Sequence, residues 1–151
     1  RGLVVSKAER FLHQYLFGAA GYAMLFGAVL TVLVQSSSIT TSLIIPLIGA
    51  GILTVEQIFP YTLGANVGTT VTAMLAALST ANVSAITIAF VHLVFNLSGI
   101  LLVYPIAAIR RIPIRLSHAL ANFTSKSRGL AVAYLIVVFY LLPLGVILIW
   151  R

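Results

Sequence analysis

Between Ala19 and Ile109 a single residue, Glu56, carries a formal charge at neutral pH. A stretch so long and so nearly uncharged cannot present a surface to water, since soluble domains are about a quarter charged. Over the whole chain 61% of residues are hydrophobic and 7% charged. The solvent of such a chain is lipid, which offers the backbone no hydrogen-bond partners. Helices satisfy their own backbone groups, and irregular backbone is tolerated at membrane depth only where protein or a water-filled cavity lines it. The expected fold class is therefore an all-α integral membrane protein.

The charge that is present lies at the ends of the apolar stretches. Nine Lys and Arg oppose two acids, for a net charge of +7. That balance on its own would suit nucleic acid. Arg1, Lys7, Arg10, Arg110, Arg111, Arg115, Lys126, Arg128 and Arg151 instead flank apolar segments, where positive charge anchors and orients membrane helices. No nucleic-acid partner is expected. The absence of cysteine removes disulfides and thiolate metal sites. The sequence opens on Arg1 without a signal-peptide pattern, and the expectation is a fragment or a processed product.

Residues 1–17 place Leu3, Val4, Phe11, Tyr15 and Leu16 on one helical face and Lys7, Arg10 and Gln14 on another, the pattern of an interfacial helix. Residues 18–34 and 43–53 are apolar, and between them 35–42 reads QSSSITTS, polar everywhere except Ile39. A spanning helix needs about 20 apolar residues, and each of these arms is shorter. The spacing predicts a re-entrant hairpin over 18–53: one arm in, a break at the serines, one arm out. Thr54 and Gln57 have capping-box spacing for the next helix. Residues 58–78 are apolar but carry Gly64, Asn66, Gly68, Thr69 and Thr70 in mid-segment, which predicts a broken helix. Residues 83–109 form the first full-length candidate span, with His92 and Asn96 one turn apart on a shared face. Residues 110–128 are basic and amphipathic, a surface loop or interfacial helix. Residues 129–150 form an uninterrupted apolar span with a kink point at Pro143, closed by the interfacial pair Trp150 and Arg151.

The chemistry inside the apolar region is neutral oxygen: Gln35, Ser36, Ser37, Ser38, Thr40, Thr41, Asn66, Thr69, Thr70 and Thr72. Glu56 falls beside the hairpin base, so no carboxylate stands within the region to hold a cation or relay a proton. Na⁺ is a hard ion that accepts hydroxyl, amide and carbonyl oxygens, helped by the carbonyls of a helix C-terminus. An oxyanion accepts hydroxyl and N–H donors, helped by a helix N-terminus. Each expected break supplies one end of each kind. Isolated Thr31, Thr87 and Ser98 read as interhelical hydrogen-bonding residues, at ~0.6 kcal/mol each. Seven polar residues among the eight of 35–42 read as a site, because desolvating them without a lined cavity costs several kcal/mol. The 64–70 segment reads as its neighbour, with glycines that equally suit helix packing. His92 reads as a packing residue rather than a ligand. No enzyme is expected, since a nucleophile, a base and an orienting group appear nowhere at workable spacing.

The run LVQSSSITTSLIIPLIGAGILTVEQIFPYTLGANVGTTVTAMLAAL, with HLVFNLSGILLVYP at 92–105 and RRIPIRL at 110–116, resembles the second repeat of the type II sodium-phosphate cotransporters. QSSS is four residues and weak alone; with the downstream matches in order, over nearly the whole chain, it is specific. The resemblance implies an inverted-repeat symporter, multi-pass in the plasma membrane, that carries inorganic phosphate with Na⁺ as coupling ion and no organic cofactor. Each half of such a transporter contributes a QSSS hairpin, with substrate between the tips. By that resemblance Gln35, Ser36, Ser37, Ser38, Asn66 and Thr69 take part in phosphate binding. Gln35, Ser36, Thr40, Asn66, Thr69 and Thr70 take part in Na⁺ binding. Only one QSSS is present, so half a site is expected, completed by an N-terminal repeat or by a second copy of the chain. The other readings are a channel or carrier for another anion, such as sulfate or a carboxylate, and a structural half-module without transport. Counting spans, 1–17 and 110–128 fall on the same side, and their basic residues place both in the cytoplasm.

Overall fold

The computed structural model describes residues 12–150, and among them every regular element is helical. The interfacial helix expected over 1–17 falls mostly outside the described residues; Leu12–Leu16 is a π-helical turn. The chain divides into two compact units, the first ending at Ala107 and the second beginning at Ala108.

In the first unit, α1 (Ala20–Val34) ends at Gln35, whose backbone turns left-handed at φ 56°, ψ 24° while its N–H closes on the Thr31 carbonyl. Ser36 then takes an extended conformation and caps α2 (Ser37–Ser42), its Oγ accepting from the Ile39 N–H at 3.3 Å. The break expected at the serines is therefore present, made by two consecutive non-helical residues. A short α3 (Ile45–Gly49) follows, with Pro46 in its first turn, where a missing N–H costs nothing. Gly51 at φ 70° ends it. The Ile52 N–H reaches the Leu47 carbonyl and the Gly51 N–H that of Ile48, each at 2.9 Å, which is a Schellman motif.

The next helix, α4 (Val55–Ser79), starts at the capping box that Thr54 and Gln57 were expected to form. It then runs for 25 residues without interruption, through Pro60 and through 64–70. The broken helix expected over 58–78 is thus corrected to a continuous one. The glycines serve close packing against α1 instead. A Cβ on Gly64 would stand 1.8 Å from the Met24 carbonyl oxygen, one on Gly68 2.6 Å from that of Ala28, and one on Gly27 2.2 Å from that of Tyr61. Small residues let two membrane helices bring their backbones together, and here the two backbones touch.

Phe17 and Ala23 from before the break share one buried cluster with Ile44 and Leu53 from after it, and with Ile58 and Tyr61 of α4. The rings of Phe17, Phe26 and Tyr61 pack at centroid distances of 5.7 to 6.1 Å. Asn82 caps α5 (Val83–Val103), its Oδ1 accepting from the Ser84 and Ala85 N–H groups. This span stops at Val103 rather than continuing to 109, just ahead of Pro105, which has no N–H for a helical bond.

The second unit holds α6 (Ala107–Thr124) and an apolar rod, α7 (Arg128–Ile149). The basic segment expected at 110–128 as a loop or an interfacial helix takes the helical form, with Arg110, Arg111 and Arg115 in α6. Ser127 caps α7, accepting from the Leu130 N–H at 3.1 Å. Over Val137–Leu141 the rod is π-helical, and the Leu142 N–H reaches the Val137 carbonyl. That wider turn directly precedes Pro143, which has no N–H to give. Among the described residues α5 and α7 are the two helices long and apolar enough to cross a membrane. Their apolar side chains, such as Phe95, Leu101, Leu148 and Ile149, lie exposed rather than in a core. Apolar surface on that scale is what lipid covers.

Candidate functional site

The break between α1 and α2 opens onto a cavity of about 550 Å³ lined by Gln35 together with Thr69, Thr72, Ala73, Leu75 and Ala76 of α4. Gln35 is exposed there, on a left-handed backbone that costs a non-glycine residue roughly 1–2 kcal/mol. Thr69 Oγ1 donates to the Ala65 carbonyl at 3.1 Å, and Thr72 Oγ1 to the Thr69 carbonyl at 2.8 Å. Both hydroxyl protons are engaged by backbone, so what these oxygens have left to offer is lone pairs. With the Gln35 amide oxygen they form an acceptor set suited to a hard cation. Ser36 has the opposite bias. Its Oγ accepts from the Ile39 N–H, which leaves its own proton to donate. Ser37 is half-buried and Ser38 exposed on the next turn.

The remaining expected residues are placed elsewhere. Thr40 is fully buried; its Oγ1 donates to the Ser36 carbonyl at 2.7 Å, and its carbonyl accepts from the Tyr61 hydroxyl at 2.9 Å. It pins α2 to α4. Thr41 Oγ1 donates to the Ser37 carbonyl. Thr70 is fully buried and donates to the Val67 carbonyl at 2.7 Å. Asn66 lines a different cavity, of about 230 Å³, with Asn96, Phe59 and Tyr104. The structure thus joins Gln35 to Thr69 and keeps Asn66, Thr40 and Thr70 apart from them. It adds Thr72, which sequence spacing hinted at by its place three residues after Thr69. The help expected from a helix N-terminus is limited, since α2 has six residues. His92 lines a pocket that shares Ala73 and Ala76 with the Gln35 cavity, whereas Asn96, one turn on, lines the cavity at Asn66. Among the described residues no group of three His, Cys, Asp or Glu could hold a metal ion.

Among the described residues the structure is all-helical, with two helices of membrane-spanning length and a helix break whose Gln35 faces a cavity it shares with Thr69 and Thr72, which defines the class as a helical membrane protein. The chain belongs to the Na⁺/Pi-cotransporter family, whose profile it matches over residues 2–125. It is 52% identical over 148 residues to sodium-dependent phosphate transport protein 2B of Bos taurus, covering 95% of this chain and 21% of that protein. It is likewise 52% identical over 130 residues to the human 2B protein, covering 83% of this chain and 19% of that protein. Against sodium-dependent phosphate transport protein 2A of Ovis aries the identity is 52% over 129 residues, 83% of this chain and 20% of the relative. The chain therefore spans about one fifth of the length of the curated relatives it matches. No solved structure matches it.

Proposed function

We propose that this chain works in sodium-coupled symport of inorganic phosphate across the plasma membrane, and that the break at Gln35 supplies one half of the phosphate and Na⁺ site. The observation that carries the reading is the division of hydroxyl polarity around the break. Thr69 and Thr72, beside Gln35 in the cavity, have their protons engaged by backbone and keep lone pairs, while the Ser36 hydroxyl, next in the chain to Gln35 and outside that lining, keeps a proton to give. A cation finds acceptors at Gln35, Thr69 and Thr72, and an oxyanion finds a donor at Ser36, beside Gln35 in the chain. Residues 18–53 form a re-entrant hairpin in this reading, whose tip meets a second polar face from another repeat or another copy. The names of the relatives, sodium-dependent phosphate transport proteins, support the choice of ions. Coupling by Na⁺ rather than H⁺ fits a cavity whose lining has no ionisable side chain.

The test is radiolabelled phosphate uptake by the full-length transporter carrying Gln35→Ala or Ser36→Ala, with surface amount measured in parallel. Both variants are expected at the surface and without Na⁺-dependent uptake. Normal uptake in both removes the break from the mechanism, and uptake of sulfate in place of phosphate by the unmodified protein turns the reading toward another anion.

A further inference from the structure

The amide nitrogen of Asn96 is buried and has no hydrogen-bond partner among the described residues. It lies seven residues before the end of α5 at Val103, about 10 Å along the helix. An unpaired buried donor costs roughly 1–3 kcal/mol, so a residue of this kind in an apolar helix calls for an occupant. The cavity it lines is shared with Asn66 of α4, which is exposed, and is walled by Phe59, Phe95 and Tyr104. Phe59 and Tyr104 are stacked there at 6.3 Å. Along α4, Phe59 and Asn66 line this cavity, and Thr69 and Ala76 line the one at Gln35. With Leu63 on the first side and Thr72 on the second, the two sets point about a quarter-turn apart around α4, so the cavities lie on adjacent faces of one helix. From Asn66 to Thr69 the rise is about 4.5 Å.

We propose that the cavity between Asn66 and Asn96 is a second polar station for the transported oxyanion, where hydrated phosphate pauses on its way to or from the break at Gln35. This rests on the phosphate reading above. The unpaired group is a donor, so it repels Na⁺ and takes an oxygen acceptor. No cationic side chain lines the cavity, so an anion held there keeps part of its water and is bound weakly. Weak binding is what a position of transit requires, since the ion must leave as readily as it enters. The competing occupant is a side-chain oxygen from another membrane helix, which would satisfy the same N–H and leave the cavity dry.

Two measurements in the full-length transporter decide it. The first is Asn96→Leu, which removes the unpaired polar group with little change of shape. The surface amount is expected to hold or rise, while KM for phosphate rises about three- to tenfold with the Na⁺ dependence unchanged, the loss of roughly one hydrogen bond. Unchanged KM, or loss of the protein from the surface as for a broken helix contact, overturns the proposal. The second is Asn96→Cys in a transporter stripped of other cysteines, treated with a charged, membrane-impermeant thiol reagent. Reaction is expected, slowed by saturating phosphate and not by sulfate. A thiol that reacts only with lipid-soluble reagents shows a dry cavity and overturns the proposal. Unmodified transporter and Gln35→Ala run in the same uptake assay separate this failure from that of the phosphate reading, which falls only if the unmodified protein carries no phosphate.

Discussion

Gln35 combines a backbone that prefers glycine with a side chain that lines the cavity, and the two can be separated by substitution. Gln35→Gly relieves the left-handed strain, and stability in detergent is expected to hold or rise by up to ~1 kcal/mol, read by thermal unfolding. Na⁺-dependent phosphate uptake is expected to vanish all the same, because the amide is gone. A glycine variant that still transports would assign Gln35 a conformational role only. Tyr61→Phe removes a buried hydroxyl from the Thr40 carbonyl and is expected to cost about 1–3 kcal/mol in the same measurement. The run QSSSITTS was legible as a break because seven hydroxyl or amide side chains crowd one short stretch of an apolar chain. Which of them donate and which accept was not legible. That depends on the carbonyl each hydroxyl reaches, three or four residues back, and so on the local turn. Thr40 and Thr70 look equivalent to Ser36 and Thr69 in sequence, and burial alone sets them apart.

Capping explains why the start of α4 was readable: Thr54 with Gln57 satisfies orphan N–H groups whatever the rest of the fold does. Thr54→Ala is accordingly expected to cost α4 about 1 kcal/mol. The continuity of α4 was not readable. Two glycines, an amide and two hydroxyls in mid-segment have the composition of a break. What decides between a break and a packed seam is the partner helix, and α1 approaches closely enough to require Gly64 and Gly68. A methyl group separates the two cases. Gly64→Ala is expected to destabilise the protein by about 1–3 kcal/mol or more, since the obstructing atoms are backbone and cannot turn aside. Gly145→Ala on α7, where a Cβ meets nothing within 4 Å, is expected to be neutral or to stabilise by up to ~1 kcal/mol. Equal melting temperatures for the two variants would discard the seam.

For the whole molecule, membrane residence was written in the scarcity of charge, and the two long apolar helices agree with it. How the chain sits in the bilayer depends on basic residues at the helix ends. Arg110, Arg111 and Arg115 gather on α6, and we propose from the positive-inside bias that this helix faces the cytoplasm. Ser117→Cys on its exposed surface is expected to resist an impermeant thiol reagent applied to intact cells and to react after permeabilisation. Labelling from outside would invert the orientation. The polar groups at Gln35 and Ser38 stay exposed on this chain, and lipid cannot hydrate them. Purified and reconstituted alone, the chain is expected to show no Na⁺-dependent phosphate uptake, and co-expression with the other repeat of a family member is expected to restore it. Full uptake by the chain alone would show that it needs no second face.

The glycine seam between α1 and α4 also bears on inheritance. A missense change at a glycine codon, whatever base is altered, introduces a residue with a Cβ. At Gly64 the space for that atom is already held by the Met24 carbonyl, 1.8 Å away. Position 64 therefore has no conservative allele. Variation there is expected to be silent or damaging with nothing between, while the neighbouring half-buried Leu63 retains a graded series of replacements.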